Sequence, residues 1–191
     1  MKFQEKILKI VEIISDKSEL KHKILENTKI LLDDYEKNKY KYGDNDEAAY
    51  WECIVCFLEA EDISCILEDC DRIPYNDFEK YDYLKAPVFA FDWKEYVEQY
   101  MWGLETIIEA QKLNINLKDI EYDNNNDDIE SVSYRIHNKL KPLGYILTFI
   151  DIGADEYEIC ILKEEDFNTI KDIIGKDEIL SEVIILEVFE R

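Results

Sequence analysis

Proline and glycine are scarce, three and five of 191 residues, so little of the chain can be linker or a glycine-rich phosphate loop. No run approaches the about 18 consecutive apolar residues that a membrane span needs. The opening Met1-Lys2-Phe3-Gln4-Glu5-Lys6 is broken by charge every few residues. It therefore lacks the apolar stretch of a signal peptide, and a cytoplasmic protein is expected. Positive charge is short too: 23 Lys and Arg face 45 Asp and Glu, a formal net charge of −22. Such a chain repels nucleic acid and anionic lipid, so neither is an expected partner, whereas a basic protein or a cation is attracted. The five cysteines are odd in number and lie inside apolar runs such as Cys53-Ile54-Val55-Cys56-Phe57. That pattern fits buried thiols rather than a disulfide framework.

What is present suffices for a core, since 47% of residues are hydrophobic, and wholesale disorder is excluded. The preference for Lys over Arg, with abundant Ile, Asn, Tyr and Glu, points to an AT-rich bacterial genome. Phe3, Ile7, Ile10, Val11 and Ile14 recur at helical spacing and predict a helix over 2–15. Ser18 is placed to cap a second helix burying Leu20, Ile24, Thr28, Leu31, Leu32 and Tyr35. The polar stretch from Glu36 to Asp46 ends this hairpin, and a third helix is expected over 46–60. Ile63 to Leu67 is ambiguous between strand and helical turn, and Asp69 to Lys85 reads as an ordered, acidic and aromatic surface excursion.

Val88 to Phe91 reads as a strand feeding a long helix over 93–112, with Asp92 and Glu95 spaced as a capping box. An acidic loop over 121–128 precedes a helix over 128–141 that Pro142 and Gly144 stop. Strands over 145–151 and 157–162 form a hairpin, a helix over 164–174 ends at Gly175, and the tail 183–189 reads as a strand. The expectation is an α+β fold: a small, mostly antiparallel sheet covered by helices, with an N-terminal helical hairpin. One domain spans 1–191, the hairpin 1–42 packing on the 46–191 core.

From residue 46 onward the order of landmarks is distinctive. Trp51 lies in a helix, a strand ends in Asp92-Trp93-Lys94-Glu95, and a long helix, an acidic loop and a second helix follow. The hairpin Ile150-Asp151…Asp155-Glu156-Tyr157 closes the series. Over residues 46–175 this resembles an uncharacterised bacterial domain-of-unknown-function family built around an Asp-Trp-Lys strand-to-helix corner. Residues 62–86 look like an insertion, and the tail strand lies outside the resemblance. What it implies is a fold, without catalytic residues.

Five constellations bear on function. At the corner, Asp92, Trp93 and Lys94 set a carboxylate beside an aromatic and an amine, as a ligand site does; a helix cap explains Asp92 with fewer assumptions. Cys53-x-x-Cys56 has redox spacing, but inside a helix and without a second ligand pair for zinc it reads as core. Asp119, Glu121, Asp123, Asn125, Asp127 and Glu130 follow a calcium-loop rhythm, yet Asn124 stands where the sharp turn wants glycine. Asp151, Asp155 and Glu156 cluster at a hairpin tip, where Asp is an ordinary turn former. Tyr75, Phe78, Tyr81 and Tyr83, with Tyr96, Tyr100 and Trp102 further on, interleave with carboxylates, the pattern of an interface for a basic partner.

His137 has no evident nucleophile partner. No catalytic residue, metal or cofactor is assigned. The expected function is a non-enzymatic acidic binding protein for a basic protein, such as a toxin that it neutralises as an immunity protein. The alternative is a small-molecule-binding domain or enzyme with a pocket near Asp92-Trp93-Lys94.

Overall fold

The computed structural model describes residues 2–38, 46–61, 73–92, 96–124, 126–151 and 156–188. Helix α1 (Phe3–Ile14) turns its apolar stripe of Ile7, Ile10, Val11 and Ile14 inward, as its spacing requires. Ser18 Oγ accepts the Leu20 amide at 3.1 Å in the turn that opens α2 (Lys21–Asn38). That helix runs past Glu36, where the polar composition predicts an end. Helix α3 (Asp46–Leu58) buries Trp51, Ile54 and Phe57.

Four antiparallel strands form one sheet in the order β1-β3-β2-β4. They are β1 (Phe89–Asp92), β2 (Tyr145–Asp151), β3 (Glu156–Lys163) and β4 (Ile185–Glu187). The middle of the central pair, Leu147–Ile150 and Ile159–Leu162, is apolar but for Thr148 because both of its faces are buried. Ile150, Cys160 and Leu162 join a core with α1, α2, α3, α6 (Glu164–Ile174) and α7 (Glu178–Val183). Leu147, Phe149, Ile159 and Ile161 join a second core with α4 (Val97–Ala110) and α5 (Ile129–Leu140). The sheet is thus the middle layer between two helical layers, consistent with the α+β expectation.

Three expectations need correction. Helix α4 begins at Val97, not at 93, with Tyr96 before it in extended backbone. Asp92 is the last residue of β1 instead of the helix cap, and the Tyr96 amide donates to Gln99 Oε1 at 3.4 Å. The tail strand is confined to Ile185–Glu187, and α7 precedes it, started by Asp177, whose carboxylate accepts the Ile179 and Leu180 amides. That Asp cap lies between Gly175 and the strand expected over 183–189, where the sequence pattern predicts no element. The ambiguous Ile63–Leu67 lies outside the described residues.

Two helices end in paired closures that normally call for glycine. After α3, the Glu61 amide reaches Cys56 O at 2.9 Å while Ala60 takes φ +58°. After α4, the Leu113 amide reaches Ile108 O at 2.9 Å while Lys112 takes φ +52°.

Candidate functional site

The aromatic excursion divides into an anchor and a display. Phe78 is buried against Phe57, and Tyr75, partly buried, also packs on Phe57. Phe78 therefore belongs to the core, and Tyr75 packs against it while staying partly exposed. Asp82 holds the segment in place from inside. Its Oδ2 accepts the Glu79 amide at 2.9 Å and Lys23 Nζ at 3.3 Å, and its Oδ1 accepts Lys85 Nζ at 3.1 Å. Burial pushes this carboxyl up, but the Glu79 amide and the two ammonium groups outweigh it and hold it below its ordinary value.

Tyr81 and Tyr83 point the other way, 59% and 37% exposed. They open a row of rings: Tyr81 to Tyr83 at 6.5 Å, Tyr83 to Trp102 at 6.3 Å, and Trp102 edge-on to Phe89 at 5.5 Å. Trp102 is 46% exposed. The row joins three chain segments, and Gly103 makes room for it, since a Cβ there would stand 2.5 Å from Phe89 Cε1. Exposed Asp77 and Glu79 precede Tyr81, and Glu98 and Glu105 lie one turn either side of Trp102 on α4. Lys80 Nζ sits 5.5 Å over the Tyr81 ring, a cation already using one face of the row.

Of the Asp92-Trp93-Lys94 corner the structure describes Asp92. Trp93, Lys94 and Asp155 lie outside the described residues. Asp92 and Asp151 close β1 and β2, both half-buried. A cavity of about 380 Å³ lies beside them, lined by neither. Its wall is Phe91, Phe149 and Tyr157, which sheet register brings together: Phe91 pairs with Tyr157 across β1 and β3, and Phe149 with Glu187 across β2 and β4. Paired residues share a face, here the one that α5 covers. The cavity is the end of that face where α5 starts, so Asp128 and Glu130 complete the rim.

A second carboxylate pair, invisible in sequence, lies inside the protein. Glu59 at the end of α3 and Glu158 in β3 are 7% and 2% exposed, and their carboxyls are hydrogen-bonded to each other. Burial, then the hydrogen bond to Glu158 and the charge of Glu158, push the Glu59 carboxyl well above its ordinary value. Two carboxylates in such contact resist ionising together, so the pair holds a proton above the ordinary carboxyl range. The only sequence signal is Glu158 between apolar neighbours in a strand buried on both faces.

The remaining candidates resolve into structure. Burial, then the charges of Glu61 and Glu158, push the Cys56 thiol up to about 12, and burial does the same for Cys160. Such thiols stay protonated and inert near neutral pH, and Cys53 is buried in α3. In the acidic loop, Asp119 pairs with Lys139, Asp127 with Arg135 at 2.7 Å, and Asp128 accepts the Ser131 amide at 2.7 Å. Those carboxylates serve separate cations and amides, and Asn125 lies outside the described residues. Among the described residues no three His, Cys, Asp or Glu are grouped to hold a metal, and no helix is long and apolar enough to cross a membrane.

No curated protein and no solved structure matches the chain. A family model does match, over residues 6–179, and so takes in the helical hairpin that the resemblance left out. The chain belongs to the family described as Domain of unknown function (DUF6630).

Proposed function

We propose that this is a non-enzymatic binding protein of the bacterial cytoplasm that engages a basic protein, in its most specific form a toxin that it neutralises. The observation that carries the reading is the exposed row Tyr81, Tyr83 and Trp102, held in register by buried Asp82 and by the space over Gly103. Rigid Tyr and Trp rings give large contact area at low entropic cost, which is why they dominate interface energetics. The flanking carboxylates and the net charge of −22 steer a basic partner onto the row and speed its arrival.

The test is capture from a bacterial lysate by the wild-type chain and by a Tyr81→Ala, Tyr83→Ala, Trp102→Ala variant, at low and at high salt. A basic protein retained by the wild type, weakened by salt and lost by the variant supports the proposal. A toxin partner would in addition lose its toxicity when the wild-type chain, but not the variant, is co-expressed. Recovery of no basic protein, or of the same proteins by both chains, overturns it.

A further inference from the structure

The geometry points to a second site: the cavity at the start of α5 binds an organic cation, an ammonium or guanidinium head on an aliphatic stem. It stands whether or not the Tyr81–Trp102 row binds a protein. Three features set the ligand class.

The first is the wall. Phe91 and Tyr157 stack at 5.9 Å with 27° between planes, and Phe149 meets both edge-on, at 6.1 Å and 6.4 Å. Phe91 and Phe149 are buried, while Tyr157 remains 37% exposed toward the opening. Ring faces attract a cation that has shed part of its water, and a wall of three gives an apolar stem a dry surface.

The second is the rim. Asp128, Glu130 and Glu187 stand there, on two different elements, and none of the described residues lining the cavity is basic. A helix start ordinarily invites anions, but here the Asp128 carboxylate already takes the Ser131 amide. Glu130 adds a second negative charge in the first turn of α5. The nearby Arg135 guanidinium is paired with Asp127. An anion entering the cavity therefore meets carboxylates, whereas a cation meets opposite charge at the rim.

The third is size. About 380 Å³ is many times the roughly 30 Å³ share of one water and falls in the range of small-molecule pockets. A bare metal ion would fill little of it, and among the described residues no three carboxylates are grouped to hold one. A neutral ligand could only donate hydrogen bonds to the three carboxylates, without the charge attraction that a cation gains.

Titration followed by aromatic proton NMR at low salt tests the assignment with three probes: choline, Nα-acetyl-arginine methylamide, and 3,3-dimethylbutan-1-ol, the neutral isostere of choline. At least one cation is expected to shift Phe91, Phe149 and Tyr157 signals saturably, with affinity about tenfold above that of the neutral isostere. Tighter binding of choline assigns the site to free quaternary ammonium compounds, and tighter binding of the capped arginine assigns it to a polypeptide side chain. The exposed double variant Glu130→Gln, Glu187→Gln should lower the cation affinity about fivefold while leaving the isostere unchanged. Tyr157→Leu should narrow the preference for cations, leaving the part that the rim carboxylates supply. Equal binding of the isostere, saturable shifts elsewhere only, or no saturable shift with either cation overturns the proposal.

Discussion

Replacing Glu59 by glutamine should make the protein less sensitive to rising pH and, near neutrality, more stable. Burial and then the contact with Glu158 raise the Glu59 carboxyl well above its ordinary 4.5 in the folded state. Above pH 4.5 the folded chain therefore holds a proton that the unfolded chain has released. Stability changes with pH as the protons bound by the unfolded state minus those bound by the native state, a negative number here. This contribution is intact below pH 4.5 and is lost as pH rises toward the native value.

One proton corresponds to a slope of about 1.4 kcal/mol per pH unit. Glutamine keeps a donor for Glu158 and has no proton to lose. The difference in unfolding free energy, wild type minus Glu59→Gln, should thus fall by up to about 1.4 kcal/mol for each pH unit above 4.5. Contributions common to both chains cancel in that difference. Urea unfolding followed by circular dichroism between about pH 5 and 7 measures it, as a shift in midpoint at constant m-value. Glu158→Gln serves as a control that retains part of the slope, because burial is the larger cause of the Glu59 shift. Parallel stability curves for wild type and Glu59→Gln would refute the shared-proton account.

Three further outcomes can be measured. Asp82→Ala should cost about 2 kcal/mol, since it removes a buried acceptor while its two lysines can rehydrate; because the Asp82 carboxyl is held low, that cost should be present above pH 3.8 and shrink as acid protonates the wild type, which unfolding curves at pH 7 and pH 3 would check. Lys112→Gly should stabilise by about 1 kcal/mol, because φ +52° strains any residue with a Cβ and the Lys112–Glu19 ion pair lost with it is exposed; thermal melts decide, and a loss of stability would refute the strain argument. Gly103→Ala should cost about 1 kcal/mol despite the better helix propensity of alanine, since its Cβ would collide with the Phe89 ring; Trp102 fluorescence should shift to the red as the ring row separates, and an unchanged spectrum with raised stability would contradict the packing described.

Much was determined by the sequence alone. The helical spacing of Ile7, Ile10, Val11 and Ile14 appears unchanged in α1, and β2 spans Tyr145–Asp151 as read. The acidity and the lack of a long apolar run are properties of composition. Periodicity reports such local features because each depends on neighbours a few residues apart.

Tertiary structure decided the rest. Tyr75 and Phe78 are as aromatic as Tyr81 and Tyr83, and only packing on Phe57 separates anchors from displayed rings. The start of α4 followed the Tyr96–Gln99 contact instead of the Asp92–Glu95 spacing. Phe91, Phe149, Tyr157 and Glu187 come from four strands, and nothing in their order announces a cavity. Glu59 and Glu158, 99 positions apart, meet only because α3 packs on the sheet. Sites assembled across strand register and helix packing depend on contacts that local periodicity does not encode.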